Sequence, residues 1–171
     1  MKEKIEEVSA RIEQKSWYQR VDGAVRGWMR ANGLIALRVS LGIIFLWFGA
    51  LKLFPGLSAA EELALDTITA MTFGAVPAHV IGPVLGAWEV LIGVGLLTGW
   101  LMRIVLLLLF LQMPGTFLPL FLFPDRVFEI IPWVPTIEGQ YIFKNLILIS
   151  AGIVLGGFLQ KKPHGGVRTP T

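Results

Sequence analysis

Four ionisable side chains lie inside long apolar stretches of this chain, and they are the residues with which it could do chemistry. They are Arg38, Lys52, Glu89 and Lys144. A charged group at the centre of a lipid bilayer costs on the order of 2.5–3.5 kcal/mol on insertion scales, so such groups pair with one another or serve a function. Glu89 lies deepest, roughly 16 Å into its stretch at 1.5 Å per residue. A carboxylate at that depth is too short to reach the membrane surface.

The three cations allow a simpler explanation as well. Arg38 lies about one turn from one end of its stretch, and Lys52 and Lys144 lie about one turn from the opposite end. Long basic side chains near the ends of a span can extend along the lipid until the charge reaches the interface. Both this snorkelling and a place in a polar interior are open to each of them.

The spacing of small residues predicts that the charges face other helices. One helical face of the first stretch holds Arg38, Gly42, Phe45, Gly49 and Lys52, and one face of the second holds Gly82, Gly86, Glu89 and Gly93. Small residues at this spacing let helices approach closely. Gln112 and Asn145 lie on stripes of the third and fourth stretches. The sequence therefore predicts a common polar interior, with binding-pocket candidates Glu89, Arg38, Lys52, Lys144, Asn145 and Gln112.

Two interpretations of Glu89 follow. In the first, it pairs with Arg or Lys as a strut that fixes helix register. In the second, the surplus of positive charge, three cations against one carboxylate, holds an anion or polarises a carbonyl oxygen such as that of a quinone. We favour the pocket, because charges inside a membrane are functional more often than not.

Several other chemistries are excluded by residue type. The chain has no cysteine, and its two histidines are His79 and His164. A disulfide framework, a thiolate metal site and a bis-histidine haem site inside the bundle are therefore not expected. No metal site, and no phosphate-binding motif of the type GxGxxG or GxxxxGK[ST], is found in the sequence. Nucleic acid is not an expected partner, because the basic residues flank apolar segments and form no patch with interleaved aromatics.

The elements that must position these residues follow from composition. Only 16% of the 171 residues are charged, 54% are hydrophobic and the mean hydropathy is +0.68, whereas an ordinary soluble domain carries about 25% charged residues. A helix needs roughly 20 apolar residues to cross a bilayer. Four stretches qualify, at about 34–54, 78–98, 101–123 and 141–160. The predicted fold class is an all-α membrane protein, with a four-transmembrane-helix bundle over residues 33–160.

The connections add detail. Gly99-Trp100 forces a tight antiparallel hairpin between the second and third spans, and Pro114 predicts a kink in the third. Ser58 to Glu61 is typical of a capping box that opens a short helix to about Thr72. Residues 124–140 are predicted to form a loop at the headgroups, and residues 161–171 a flexible tail.

Residues 1–32 are predicted to form a separate amphipathic helix. Lys15, Trp17, Tyr18 and Arg20 suit a membrane interface. A solvated helix that packs on a partner is the alternative.

Lys and Arg counts predict the orientation. One face holds eleven of these residues, seven in the N-terminal segment, Arg103 between the second and third spans, and three in the tail, and the opposite face holds only Arg126. An excess of Lys and Arg marks cytoplasmic loops. The chain is therefore predicted to lie in the cell (inner or plasma) membrane with both termini cytoplasmic.

Three segments resemble a known family. Residues 37–42, residues 48–54 and residues 88–97 are similar to the DoxX/DoxD family, and Lys144-Asn145-Leu146 fits the same pattern. The resemblance covers about residues 34–158. It implies a four-helix membrane bundle whose polar residues would be Arg38, Lys52, Glu89 and Lys144. Some members of that family are similar to subunits of thiosulfate:quinone oxidoreductase, and others partner with redox or oxidative-stress enzymes.

Two functions are expected from residues and resemblance together. The first is the membrane subunit of a quinone-linked redox system, with a sulfur compound as a candidate donor. The chain shows no electron carrier of its own, and quinone is the one cofactor considered, so this function needs a partner protein or direct chemistry between donor and quinone. The expected partners are the lipid bilayer and either a partner protein or a homo-oligomer. The alternative is a non-catalytic scaffold, an assembly factor or a small-solute carrier.

Overall fold

Four helices of the described chain are long and apolar enough to cross a membrane. The structure is a computed structural model, which describes the backbone of residues 2–54, 56–58 and 61–159 and the side chains of those residues from 17 onward. The four candidate spans are Trp17–Lys52, Ala78–Thr98, Met102–Leu122 and Ile137–Gly157. They confirm the prediction of four helices that are long and apolar enough to cross a membrane. The predicted tail, residues 161–171, lies outside the described residues.

The elements follow one another along the chain as mostly helical segments. Their bounds are α1 Lys2–Lys52, α2 Glu61–Met71, α3 Ala78–Thr98, α4 Met102–Phe117, α5 Pro119–Leu122, α6 Pro124–Val127, β1 Phe128–Ile130, β2 Val134–Pro135 and α7 Ile137–Gly157. The chain divides into two compact units, residues 1–37 and residues 38–171.

The described part of the first unit is helical and belongs to helix α1, Lys2–Lys52. Helix α1 is 51 residues long, whereas the sequence predicted a separate helix over residues 1–32. Asn32 and Gly33 are typical of a helix end, yet the Asn32 side chain donates to the Trp28 carbonyl oxygen at 2.9 Å. This bond satisfies the Asn32 side chain within the helix, and no proline follows to stop α1 before Lys52.

Helices α1 and α3 approach closely along the predicted glycine stripes. A Cβ atom added at Gly93 would lie 2.5 Å from the backbone nitrogen of Leu46, and one added at Gly49 would lie 2.8 Å from the backbone nitrogen of Val90. Neither position has room for a side chain. The two helices therefore pack backbone against backbone beside Glu89.

The α3–α4 connection is the predicted tight hairpin. Gly99 ends α3 in the left-handed conformation (φ 73°), and its N–H donates to the Gly95 carbonyl oxygen at 2.9 Å. Leu101, the residue before α4, also has a positive φ of 50°. This turn places α3 and α4 side by side and antiparallel.

The third span is interrupted where prolines remove backbone donors. Pro114 lies inside α4, which ends at Phe117, and α5 begins at Pro119. Leu118 between them donates to Gly115, three residues back, at 3.4 Å. The interruption therefore lies four residues beyond the proline that predicted it.

The segment predicted as a loop contains a small antiparallel hairpin, which corrects the all-α class in this one place. Strands β1 and β2 pair Phe128 with Pro135 and Ile130 with Val134. Val127, at the start of this segment, is fully buried and forms a cluster with Leu63 of α2 and Ile142 of α7. This cluster fastens the hairpin to the helices on either side.

Candidate functional site

Glu89 lies in the middle of α3, and helices on both sides bring a polar group to it. The Glu89 side chain is 8% exposed. Lys52, at the end of α1, places Nζ 2.5 Å from Glu89 Oε1, and Gln112 of α4 places Nε2 2.6 Å from the same oxygen. Three of the six candidates predicted from the sequence therefore form one cluster.

The glycines explain why Lys52 can reach so deep. A Cβ atom added at Gly49 would lie 2.7 Å from Glu89 Cβ, so the backbone of α1 runs directly against the Glu89 side chain. Lys52 follows one turn later and extends back toward the carboxylate. Its side chain is 20% exposed, and it pairs with Glu89 instead of snorkelling to the surface.

A tryptophan next to Glu89 fixes the helix that carries Gln112. Trp88 Nε1 donates to the carbonyl oxygen of Leu108 at 3.2 Å. Leu108 lies four residues before Gln112, one helical turn away. Trp88 was not among the site residues predicted from the sequence, although an indole N–H within an apolar span needs an acceptor and so gives a signal.

The cluster is not fully satisfied. Both donors converge on Glu89 Oε1, while Glu89 Oε2 and Gln112 Oε1 are buried and have no hydrogen-bond partner in the structure. A buried polar atom without a partner costs about 1–3 kcal/mol. Two acceptors thus stand without donors beside an ammonium group.

The other predicted candidates lie elsewhere. The Arg38 guanidinium lies against Gly99, at the C-terminal end of α3, and fills the space that a Cβ atom of residue 99 would occupy. Lys144 is exposed and lies over the Tyr141 ring at 4.9 Å from its centroid. Asn145 is half-buried on α7. The predicted common interior therefore forms around Glu89, Lys52 and Gln112, and the structure does not bring Arg38 or Lys144 to it.

A second polar cluster joins the elements at the opposite end of α3 from Arg38. Arg126 of α6 contacts Asp66 of α2 at 2.5 Å, Glu138 of α7 at 3.3 Å and Glu62 of α2 at 3.8 Å. Burial alone would lower the pKa of Arg126, but Glu138 and Asp66 outweigh it and raise that pKa. Each acidic partner lies far from Arg126 in sequence or on another element, so residue spacing could not predict these ion pairs.

Two acids of that cluster, Glu62 and Glu138, border an open cleft. The cleft is lined by Gly56, Ser58, Glu61, Glu62, Leu65 and Glu138. Gly56 donates its N–H to Glu61 Oε2 at 2.9 Å. In the predicted capping box Glu61 would instead accept from the Ser58 N–H, so the observed cap lies two residues earlier. Among the residues that the structure describes, no group of three His, Cys, Asp or Glu side chains could hold a metal ion.

Glu89, Lys52 and Gln112 thus form the site with the strongest case for chemistry, since they combine a buried carboxylate, an ammonium donor and two unpaired acceptors. No family model, curated protein or solved structure matches the chain.

Proposed function

We propose that this chain is a DoxX-like multi-pass membrane protein that serves as the membrane subunit of a quinone-linked redox system. A reduced sulfur compound is the donor that best fits the resemblance of its first and second spans. The observation that carries the proposal is the incomplete polar cluster at Glu89, in which two buried acceptors lack donors.

A purely structural strut would look different. A carboxylate that only fixes helix register is stabilised when both of its oxygens are paired, and polar networks inside low-dielectric surroundings are costly when half satisfied. Here Lys52 and Gln112 both donate to one oxygen and leave the other unpaired. This arrangement favours a site that exchanges a proton or a ligand over a strut.

The chemistry follows from the exposure of each group. Lys52 is the more exposed member of the ion pair and has three N–H donors, so a quinone carbonyl oxygen can accept from it while Glu89 lies behind. Reduction of a quinone to a hydroquinone takes two electrons and two protons. Lys52 would polarise the carbonyl, Glu89 would take up a proton from solvent and pass it to the quinone, and the second proton would also come from solvent. The electrons would come from a partner subunit or directly from the donor.

The protein would lie in the cell membrane with Lys52 toward the outer leaflet. With eleven Lys and Arg residues on one side and Arg126 on the other, both termini would be cytoplasmic in the cell membrane. The end of α1 that carries Lys52 would then lie toward the outer leaflet, and an anionic donor from outside would meet Lys52 first.

The experiment is purification from native membranes in mild detergent, followed by mass spectrometry and an absorption spectrum. A bound quinone, or a partner that carries haem, iron–sulfur or flavin, supports the redox subunit. A colourless protein with neither quinone nor partner contradicts it.

A second candidate function rests on the first unit. Trp17, Val21, Val25 and Trp28 are exposed on one face of α1, and an exposed apolar stripe of this kind marks a docking surface for a protein or membrane. This face favours a scaffold or assembly factor. Deletion of residues 1–30 should then abolish partner association, and unchanged associations and membrane levels would exclude docking through this segment.

A further inference from the structure

Glu89 Oε2 and Gln112 Oε1 are two buried acceptors, on side chains already joined by one hydrogen bond, that have no partner in the structure. Gln112 Nε2 already donates to the other carboxyl oxygen at 2.6 Å. We propose that Glu89 and Gln112 form a proton-binding site, in which Glu89 Oε2 takes up an exchangeable proton and donates it in a hydrogen bond to Gln112 Oε1. This site deepens the proton-transfer role that the proposed function gives to Glu89, and its test needs no quinone.

The shapes of the two groups support this pairing. A carboxyl group and a primary amide are both planar and both end in two polar atoms on one carbon. A protonated carboxyl has one O–H donor and one acceptor oxygen, and a primary amide has N–H donors and one acceptor oxygen. The pair can therefore form two antiparallel hydrogen bonds. The observed bond from Gln112 to Glu89 is the first of these, and the two unpaired oxygens are the atoms that the second would join.

Other occupants fit the two oxygens less well. Each unpaired atom exposes less than 1 Å², and a water molecule needs room as well as two to four polar partners. A proton needs no additional volume. A metal cation would meet the ammonium of Lys52, which already lies 2.5 Å from the same carboxylate, and like charges at this range repel strongly in low dielectric.

Of the charged groups on the surrounding helices, Lys52 is the one that contacts Glu89. On α2, Glu61 accepts from Gly56, and Glu62 and Asp66 contact Arg126. On α7, Glu138 contacts Arg126 and Lys144 lies over Tyr141. From residue 38 onward, the remaining charged or titratable groups of α1, α3 and α4 are Arg38 against Gly99, His79 in the first turn of α3 and Arg103 in the first turn of α4. Among the described residues, Lys52 is therefore the charged group in contact with Glu89.

Proton uptake changes the charge of the site by one. In the deprotonated state Glu89 is an anion paired with the Lys52 cation. In the protonated state Glu89 is neutral, its Oε1 still accepts from Lys52 and Gln112, and Oε2 becomes a donor. Because Lys52 is 20% exposed, its charge can be stabilised by solvent or headgroups when Glu89 is neutral. The two states differ by one proton and need no helix movement.

The test is infrared spectroscopy of the purified, quinone-free protein in lipid vesicles. Acid-minus-base difference spectra should contain a carbonyl stretch of a protonated carboxylic acid that moves to lower frequency in D2O. This band should disappear in Glu89→Gln and persist in Glu129→Gln, which removes an exposed acid of strand β1. Superimposable difference spectra of the wild type and Glu89→Gln would overturn the proposal.

A second variant keeps the carboxyl in place. In Gln112→Met the band should remain but move to higher frequency, because the protonated carboxyl loses its acceptor. An unshifted band in a folded Gln112→Met protein would contradict the pairing even if Glu89→Gln fails to fold. Since the sample contains no quinone, these results are independent of whether the protein binds one.

Discussion

Lys52 and Gln112 donate to the same carboxylate oxygen of Glu89, at 2.5 and 2.6 Å, from two different helices. This convergence joins the end of α1 and the middle of α4 through one atom of α3. It also leaves the second carboxylate oxygen unpaired, and the chemistry proposed for the site depends on that atom. Coupling between the three side chains is therefore expected to be strong.

A double-mutant cycle should show this coupling. Removing one partner of a buried ion pair costs about 3–5 kcal/mol, because the other charge is left uncompensated. We expect Lys52→Met to lower the free energy of unfolding more than Glu89→Gln does, since Glu89 is the more buried of the two. The double variant should lose much less than the sum of the two. Additive losses in a reversible denaturation assay would show that the two side chains act independently.

Close helix packing at Gly93 makes a second prediction. The Gly93→Ala substitution would force its Cβ against the Leu46 backbone, and overpacking of this kind costs about 1–3 kcal/mol. The melting temperature should fall by several degrees. Gly157→Ala is the matched control, because no atom lies within 4 Å of its added Cβ. Equal melting temperatures for the two variants would mean that α1 and α3 are farther apart than described.

Trp88 is expected to act as a positioning residue for Gln112. Trp88→Phe keeps an aromatic ring but removes the donor to the Leu108 carbonyl, a loss of about 0.5–1.5 kcal/mol in stability. It should also shift the infrared band of protonated Glu89, because Gln112 is less firmly held. Trp47→Phe changes an indole of α1 that is 67% exposed and should leave both readouts unchanged. A shift in the control but not in Trp88→Phe would disprove this role.

The orientation can be tested cleanly because the chain has no cysteine. Trp133→Cys introduces a thiol at an exposed site of the hairpin of residues 128–135, and Gln19→Cys introduces one on the first unit. A membrane-impermeant maleimide added to intact cells should label the first and not the second. Labelling of Gln19→Cys alone would reverse the predicted topology.

Much of the site could be predicted from the sequence, because the apolar stretches and glycine spacing both indicate which face of each helix is packed. Glu89 was predictable because a carboxylate in the middle of a span is too short to reach the membrane surface and must find a partner inside the protein. Lys52 and Lys144 were not separable, because both lie near a span end on long side chains. The structure turns Lys52 inward to Glu89 and leaves Lys144 on Tyr141. That difference depends on the glycines beside Lys52, and so on tertiary packing.

The remaining differences also have tertiary causes. The boundary near residue 32 was placed where the composition changes from amphipathic to apolar, but such a change does not end a helix, and α1 continues to Lys52. The hairpin of residues 128–135 is too short to show strand periodicity, and its pairing depends on the buried Val127 beside it.

The most direct test of the central claim is the affinity of the purified protein for a short-chain quinone. Binding is measured through the quenching of tryptophan fluorescence. Loss of a hydrogen bond from a charged donor costs about 1.5–3 kcal/mol, and 1.4 kcal/mol is a factor of ten in affinity. Lys52→Met should therefore bind the quinone at least about tenfold more weakly than the wild type. Lys144→Met, which changes a lysine that lies outside the cluster, should bind it as the wild type does. Equal affinity in all three proteins, or no binding by any of them, would contradict a quinone site at Lys52 and Glu89.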